Sequence, residues 1–294
     1  MLSVDQVSKR YGERQVLDQI TFEVGRGRLT GFVGGNGAGK TTTMRIILGV
    51  LGADSGAVTL DGQRLTPADR RRFGYMPEER GLYPKMKVHE QLVYLARLHG
   101  LGAKQAAANA TSLLERLELD QRANDLVDNL SLGNQQRAQI AAALVHSPEV
   151  LVLDEPFSGL DPMAVETVLG VLQDVARQGA PVLFSSHQLD VVERLCDDIV
   201  VIADGVVRAS GTREGLQNAN AGDQYELLTG GDAGWVRDVP GASVVAFDGG
   251  YALFRAETPE VAQTVLRRAL ELGPVASFTP HRPSLTEIFK EVVR

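Results

Sequence analysis

The sequence has little of several features that define specialised classes of protein. Its one cysteine, Cys196, has no partner for an internal disulfide, which is typical of a protein from a reducing cytosol. Its longest apolar stretches, such as residues 46–53 and 150–153, are far shorter than the ~20 residues of a membrane-spanning helix. No charged segment followed by an apolar core opens the chain, because Asp5 and Lys9 occur early. We therefore expect a cytosolic protein without a membrane span of its own.

An excess of basic residues is also absent. The 294 residues include 30 Lys and Arg against 37 Asp and Glu, which gives a formal net charge of −7. This balance argues against broad electrostatic binding to nucleic acid or to anionic lipid. The 44% of hydrophobic and 23% of charged residues are typical of a folded globular chain, and the length suggests about two domains.

Hydrophobic patterns predict an α/β domain over residues 1–215. Residues 2–7 and 16–24 have the pattern of strands in an N-terminal antiparallel β-subdomain, and 29–33 is a short apolar strand. A glycine-rich loop follows it, and a helix is predicted from Lys40 onward, with Met44, Ile47, Leu48 and Leu51 on one face. Strand, loop and helix together form a βα unit.

The second half of this domain alternates between helical and strand patterns. Alanine- and leucine-rich periodicity predicts an inserted helical subdomain at about residues 86–147. Residues 150–153 and 182–185 are continuous apolar runs, as expected of strands buried on both faces of a parallel sheet. Arg70, Arg71 and Arg72 are interpreted as a solvated helix face. Cys196 follows an amphipathic pattern and is expected to be buried.

Residues 216–294 predict a small α+β domain, ordered as strand, hairpin, helix, strand and helix. Asp248-Gly249-Gly250 is a hairpin turn signal, and Ser284 with Glu287 matches a capping box. The predicted elements are strands at 243–247 and 251–256, a helix at 259–272, a strand at 275–278 and a short helix after Ser284, whereas 212–222 and 230–234 are predicted as loops.

The loop at residues 34–41 has the spacing of a phosphate-binding P-loop, with Gly34 followed by four residues and then Gly39-Lys40-Thr41. Its glycines allow backbone N–H groups to turn towards phosphate oxygens, and the following helix adds its positive N-terminal end. Lys40 can reach the β- and γ-phosphates, while the Thr41 hydroxyl suits Mg²⁺. The alternative is a turn that merely joins a strand to a helix. The sequence therefore predicts binding of a nucleoside triphosphate.

Two carboxylates follow the apolar strand 150–153. Ligands of open α/β sheets bind at the carboxyl ends of the strands, which is where Asp154 and Glu155 are expected. Asp154 suits a Mg²⁺ position, and Glu155 suits a general base that polarises the attacking water. In isolation, the alternative is a strand that ends in a solvated acidic turn.

Further segments occur in an order that resembles one family. Residues 130–137 precede the strand that ends at Asp154, residues 158–161 follow it, and His187 follows the next predicted strand. Tyr11 precedes all of them. Together with the P-loop, this set is similar to the ATPase subunit of an ATP-binding cassette transporter, over residues 1–215.

The resemblance implies roles for particular residues. Ser131 and Gly133 would form a second anion site that acts on the γ-phosphate held by another subunit, so that two chains arranged head to tail enclose two nucleotides. His187 would contact the γ-phosphate, with a strand-end cap as the alternative, and Tyr11 would stack on adenine, with simple packing as the alternative. The resemblance assigns catalysis to Glu155, His187 and Lys40, and nucleotide contacts to Tyr11, Val16, Gly34, Gly35, Asn36, Gly37, Ala38, Gly39, Lys40, Thr41, Thr42, Glu78, Ser131, Gly133, Asn134 and Asp161.

The chain departs from the family pattern at two motifs. After Ser131 it carries Leu132, Gly133 and Asn134, where the family has two glycines and a glutamine. Within residues 75–84, which match the Q-loop, it carries Glu78 in place of glutamine; a carboxylate remains a hard ligand for Mg²⁺. The resemblance thus assigns Mg²⁺ to Thr41, Glu78 and Asp154.

Both departures, and the ending at residues 283–289, are similar to the sodium- and drug-export branch of the family. There the ATPase pairs with a separately encoded membrane permease, so the resemblance implies a peripheral protein on the cytoplasmic face of the membrane. Candidate permease contacts are Tyr83, Pro84, Lys85 and Met86. The C-terminal domain is either a dimerisation or regulatory element or a cover for apolar surface of the core.

Other functions are possible from the sequence alone. A soluble cassette ATPase that acts on DNA or ribosomes usually carries two cassettes or a long coiled-coil insertion, and neither is visible. Glu155, His187 and Lys40 argue against a binding module without activity. Homodimer and heterodimer remain open. His89, His99, His146 and His281 lack metal-ligand spacing, so no metal other than Mg²⁺ is expected.

Overall fold

The computed structural model describes residues 1–79, 81–219 and 222–292, and the chain divides into two compact units, Met1–Arg213 and Glu214–Val292. Within these residues, no helix combines the length and apolar character that crossing a bilayer requires. The first unit contains, in chain order, β1 (Leu2–Tyr11), β2 (Arg14–Val24), β3 (Leu29–Val33), α1 (Lys40–Ile47), β4 (Ser55–Leu60), β5 (Gln63–Arg64), α2 (Pro67–Arg70), β6 (Phe73–Met76), α3 (Val88–Leu98), α4 (Ala103–Arg116), α5 (Leu132–Leu144), β7 (Val150–Leu153), α6 (Pro162–Arg177), β8 (Val182–Ser186), α7 (Leu189–Leu195), β9 (Asp198–Ala203) and β10 (Val206–Thr212).

Two sheets form the centre of the first unit. The four-stranded sheet, in the order β2-β1-β4-β5, is antiparallel, and confirms the predicted β-subdomain. The six-stranded sheet has the order β10-β9-β3-β8-β7-β6 and is parallel except for β10. Phe22 and Phe32 stack between them with ring centroids 5.1 Å apart, beside the buried Met44 and Ile47 of α1. Burial of these apolar faces is the main favourable term that holds the sheets together.

The parallel pairing of β3, β8 and β7 brings three chain segments to one edge. Val33 is opposite Ser186, and Leu153 is opposite Phe184, so the three strands end close together. All residues of these strands are buried, as their continuous apolar runs predicted. The residues that follow the three strands therefore share the carboxyl edge of the sheet, where ligands of such sheets bind.

The predicted helical subdomain is confirmed by α3, α4 and α5. Leu92 and Ala96 on α3 and Leu113 and Leu114 on α4 are buried. Two short 3₁₀ turns lie between α4 and α5. One expectation nearby was wrong: the Arg70 side chain is half-buried rather than solvated, and its guanidinium donates to Ile47 O and Leu65 O, at 3.0 and 3.2 Å. Burial lowers the pKa of Arg70, whereas Arg71 and Arg72 are exposed, as predicted.

The second unit is a four-stranded antiparallel sheet in the order β12-β13-β11-β14. The core contains Leu227 and Phe254 of the sheet together with Ala262, Val265 and Ala269 of a helix. Its elements are α8 (Arg213–Ala219), β11 (Gln224–Thr229), β12 (Ala242–Asp248), β13 (Tyr251–Ala256), α9 (Pro259–Leu272), β14 (Val275–Pro280) and α10 (Leu285–Val292), with a 3₁₀ turn at Gly234–Asp238.

Several local predictions for this unit are confirmed. The hairpin turns at residues 248–250, α9 has the predicted bounds, and the amide of Glu287 donates to Ser284 Oγ, at 3.3 Å, in a capping box. The predicted loop at 212–222 was wrong, because α8 lies within it; Asn220 and Ala221 are outside the described residues. Helix α8 buries one apolar side chain, Leu216, so it shows no helical periodicity in the sequence.

Candidate functional site

The P-loop connects β3 to α1 and contains two positions, Gly34 and Gly39, that only glycine can occupy. Gly39 precedes α1 with φ of 109°, and a Cβ there would lie 2.5 Å from Leu17 Cδ2. A Cβ on Gly34 would lie 2.4 Å from Ile202 O. The loop can therefore follow this path only without side chains at these positions, which leaves its backbone amides accessible.

Lys40 begins α1 and is 9% exposed. Its ammonium donates to Gly34 O at 2.7 Å and to Gly35 O at 3.3 Å, across the mouth of the loop. A buried ammonium with only carbonyl partners is placed to exchange them for an anion, because charged acceptors form stronger hydrogen bonds. The loop thus presents one positive charge and a helix N-terminus at the same point.

A chain of hydrogen bonds joins α1, β7 and β8 at the carboxyl edge. The Thr41 hydroxyl donates to Asp154 Oδ2 at 2.9 Å. The Ser185 hydroxyl donates to Asp154 Oδ1 at 2.5 Å and accepts the backbone N–H of Glu155 at 2.9 Å. Asp154 is 1% exposed, so both carboxylate oxygens are satisfied inside the protein.

Glu155 is held in an uncommon conformation. Its φ is 51°, and its side chain contacts His187 with 2.9 Å between Oε2 and Nδ1. Gln136 of α5 donates to the carbonyl oxygens of Glu155 and Pro156, at 2.9 and 3.1 Å. Positive φ costs a non-glycine residue free energy, so the surrounding bonds impose this geometry on Glu155.

Lys40, Thr41, Glu155 and His187 line one cavity of about 550 Å³, a volume typical of small-molecule sites. The cavity brings together residues that the sequence analysis selected on separate grounds, with one addition, Arg14. Its lining consists of Tyr11, Arg14, Val16, Gly35, Asn36, Gly37, Gly39, Lys40, Thr41, Thr42, Glu78, Glu155 and His187. Tyr11 is 50% exposed and lies beside Arg14 in the β1–β2 hairpin.

The remaining predicted residues lie elsewhere. Ser131 caps α5, and its hydroxyl accepts the Asn134 N–H at 3.4 Å. A Cβ on Gly133 would lie 3.5 Å from Gly159 O, so the start of α5 adjoins the loop before α6. Asp161 caps α6 and accepts the Ala164 N–H at 2.9 Å. Ser131, Gly133, Asn134 and Asp161 thus form a second surface, here called the signature surface, which does not line the P-loop cavity.

Glu78 lies in an exposed loop that is hydrogen-bonded to α5. The buried amide of Gln139 donates to Pro77 O at 2.7 Å and to Glu79 O at 3.1 Å, on either side of Glu78. Arg80, within the predicted 75–84 segment, lies outside the described residues. The contact fixes the peptide groups next to Glu78 and leaves its carboxylate free to face the cavity.

The oxygen ligands at this edge fit Mg²⁺ rather than a transition metal. One carboxylate of Asp154, the Thr41 hydroxyl and the Glu78 carboxylate are hard oxygen donors. Among residues 1–79, 81–219 and 222–292, no group of three or more His, Cys, Asp or Glu side chains could hold a metal ion. Oxygen donors of this kind suit Mg²⁺, which commonly binds through one or two carboxylates and substrate phosphates.

Sequence reasoning missed three residues of the site: Arg14, Gln136 and Ser185. Arg14 has no signal beyond its position after a turn. Gln136 lies within the predicted signature segment. Helical periodicity in that segment would have predicted its position near the start of α5. Ser185 interrupts an apolar strand pattern, and a hydroxyl in a buried strand needs a partner, which was the available signal.

Comparisons with known proteins identify relatives of this chain. The family model described as ABC transporter matches residues 17–158, and the model described as ATP-binding protein DrrA1-3-like, C-terminal domain, matches residues 211–293. The ABC transporter ATP-binding protein YhaQ of Bacillus subtilis (strain 168), itself named as uncharacterised, is 34% identical over 100% of this chain and 98% of its own length. The Nod factor export ATP-binding protein I of Ralstonia nicotianae is 34% identical over 98% of this chain and 92% of its own.

Solved structures show the same fold. A structure described as the ATP-binding subunit of an ABC transporter superposes with a TM-score of 0.68 at 34% sequence identity. The superposition covers 74% of this chain and 92% of the other. The similarity therefore includes most of the first unit, where the cavity lies.

Proposed function

Because this chain belongs to the family of ABC transporter ATP-binding proteins, we propose that it hydrolyses Mg·ATP as a dimer and thereby drives export through a separate membrane permease. The observation that carries the proposal is the cavity that joins the P-loop to Glu155 and His187, with Asp154 buried behind it and hydrogen-bonded to Thr41. In this proposal, residues 1–215 form the ATPase domain and residues 216–294 an accessory domain. The protein would be peripheral on the cytoplasmic face of the membrane.

The residues of the cavity divide the chemistry among them. Backbone amides of the P-loop and Lys40 bind the β- and γ-phosphates, and Lys40 stabilises the charge that develops in the transition state. Glu155 accepts a proton from the water that attacks in line. His187, whose Nδ1 lies 2.9 Å from Glu155 Oε2, directs Nε2 to the γ-phosphate. Tyr11 provides a face for adenine, beside Val16 and Arg14.

Mg²⁺ bound with the nucleotide would supply positive charge against that of the phosphates. Thr41 and Asp154 would hold it, with Glu78 from the exposed loop. The Asp154 carboxylate is already fixed by Ser185, so one of its oxygens stays oriented when the Thr41 hydroxyl turns away.

Replacement of Glu78 by glutamine tests this ligand set. The carboxylate adds a negative charge beside the phosphates. The ATPase activity of the wild-type protein should therefore depend more strongly on Mg²⁺ than the activity of Glu78→Gln does. We expect the Mg²⁺ concentration for half-maximal ATPase activity to differ between the two, measured by titration at saturating ATP. Glu79→Gln, at the adjacent exposed carboxylate, is the control and should match wild type. Superimposable curves for wild type and Glu78→Gln would contradict the assignment.

The separation between the signature surface and the cavity supports the proposed dimer. Ser131 and Gly133 lie at a helix N-terminus, which favours an anion, yet they do not line the cavity of their own chain. A second copy placed head to tail would bring its signature surface, including Asn134 and Asp161, over the bound nucleotide. The isologous arrangement closes with two identical sites.

The permease is proposed to dock in an apolar groove of about 380 Å³ next to the Q-loop. Leu48, Val50, Leu82 and Leu95 line it, and Val50 is 74% exposed. Beside it, Tyr83 and Tyr94 form an edge-to-face pair at 6.4 Å, and both are exposed, so the predicted contacts Tyr83, Pro84, Lys85 and Met86 would extend the same surface. Export, rather than import, is supported by the name of the Nod factor export relative.

A charged group in the groove should weaken permease binding. Val50→Glu places a carboxylate where the partner's apolar surface would be buried, which costs free energy because the charge loses its hydration. We expect co-purification of the permease from membranes to fall by at least ~10-fold, a loss of ~1.4 kcal/mol. Leu270→Glu, at an exposed leucine of α9, is the control. Undiminished co-purification with Val50→Glu would remove the groove as the docking site.

A further inference from the structure

Ser185 is a buried polar residue at the centre of the first unit. Strand β8 lies between β3 and β7, and its first three residues are Val182, Leu183 and Phe184. Ser185 follows them with 0% exposure, and its hydroxyl has two partners, Asp154 and the amide of Glu155. No other side chain in the described residues contacts both of these neighbours in this way. The hydroxyl thus connects the two carboxylate residues of the site.

The direction of each hydrogen bond can be assigned. An ionised carboxylate only accepts and a backbone N–H only donates, so the single Ser185 proton points to Asp154 Oδ1 while a lone pair receives the Glu155 N–H. The hydroxyl therefore donates one hydrogen bond and accepts another. A buried hydroxyl in this arrangement has a fixed orientation.

The same bond stabilises the unusual backbone at Glu155. With φ at 51°, the Glu155 N–H points towards β8, where Ser185 accepts it, while Gln136 binds the Glu155 carbonyl from the opposite side. Removal of the Ser185 hydroxyl would leave that N–H buried without a partner and free one oxygen of Asp154. Both carboxylates would then lose part of their orientation at once.

We propose that Ser185 is a positioning residue that fixes the Asp154 carboxylate and the backbone of Glu155 through one hydroxyl, and so sets the distance between the metal position and the attacking water. The inference rests on the proposed ATPase mechanism. Ser185 does not line the cavity, so in this mechanism it would contact neither the nucleotide nor the attacking water. Its effect should therefore appear in turnover and in Mg²⁺ dependence, and not in nucleotide affinity measured without a divalent cation.

Threonine and valine at this position give a matched pair, because they have the same shape and differ only in the hydroxyl. We expect Ser185→Val and Ser185→Ala to lower kcat by ~10- to 100-fold, as loss of a supporting contact or a small misplacement typically does. Both should raise the Mg²⁺ concentration for half-maximal activity and leave divalent-free ATP affinity within ~2-fold. Ser185→Thr should retain most of kcat.

Thr30 provides the control for burial of a hydroxyl in the same sheet. It lies on β3, is 0% exposed, and its hydroxyl has no hydrogen-bond partner among the described residues. Thr30→Val should therefore leave kcat and the Mg²⁺ titration unchanged. Thermal unfolding of every variant separates loss of fold from loss of positioning, and Ser185→Ala serves if the valine variant does not fold.

Two results would overturn the inference. One is equal kcat for Ser185→Val and Ser185→Thr; the other is a parallel fall of kcat and divalent-free ATP affinity in Ser185→Ala. Failure of the underlying mechanism gives a different pattern, in which wild type and Glu155→Gln hydrolyse ATP equally. If activity depends on Glu155 but Ser185→Thr and Ser185→Val do not differ, the role of Ser185 is refuted and the ATPase mechanism is not.

Discussion

Glu155→Gln is expected to bind ATP and to hydrolyse it ~10²- to 10⁴-fold more slowly than wild type, the usual contribution of a general base. Glutamine keeps the size of the side chain but cannot accept a proton from water. The backbone of Glu155 should keep its conformation, because the bonds from Ser185 and Gln136 are made to main-chain atoms. The loss should therefore fall on the chemical step.

The same variant should accumulate as a dimer in the presence of Mg·ATP. If two signature surfaces close on two nucleotides and open after hydrolysis, a block of hydrolysis retains the closed state. Steady-state phosphate release measures the first effect, and light scattering with and without ATP measures the second. Glu149→Gln is the matched control, since Glu149 precedes the strand that ends before Glu155 and forms an exposed ion pair with Arg72 at 2.7 Å. Turnover of Glu155→Gln at the wild-type rate would remove Glu155 as the base.

Local signals explain how far the fold could be predicted from the sequence. The strand Leu29–Val33 and the helix Pro259–Leu272 have the predicted bounds. Both could be predicted because the pattern of apolar residues within each segment indicates the element. The Asp-Gly-Gly turn gave the hairpin for the same reason. Strand β1 continues to Tyr11, beyond the predicted end at residue 7, because its last residues pair with β2 and are not apolar enough to show it.

Contacts between residues that are distant in the sequence could not be predicted from hydrophobic patterns. Ser185 meets Asp154 across 31 positions and Gln136 meets Glu155 across 19, and no periodicity encodes either pair. The P-loop and the strand-end carboxylates could be selected, since their spacing carries the chemistry of phosphate binding. The hydrogen bonds that orient them depend on the order β3-β8-β7, which only the folded sheet supplies.

Lys40→Met is expected to remove most of the affinity for ATP. Methionine matches the apolar stem of lysine and lacks the ammonium that lies over the loop, 2.7 Å from Gly34 O. A hydrogen bond to a charged group contributes ~1.5–3 kcal/mol, so the Kd for ATP should rise by ~10- to 150-fold. The fold should persist, because the buried charge is removed together with its desolvation cost.

Hydrolysis by Lys40→Met should fall further than binding does. Charge on the γ-phosphate oxygens is redistributed in the transition state, and a preorganised cation contributes ~10²- to 10³-fold to that step. Calorimetric titration with ATP and phosphate release at saturating ATP separate the two effects. Lys104→Met, at an exposed lysine of α4 that does not line the cavity, should match wild type in both measurements. Unchanged ATP affinity in Lys40→Met would show that the phosphates do not bind at this loop, and the site would have to be sought elsewhere on the first unit.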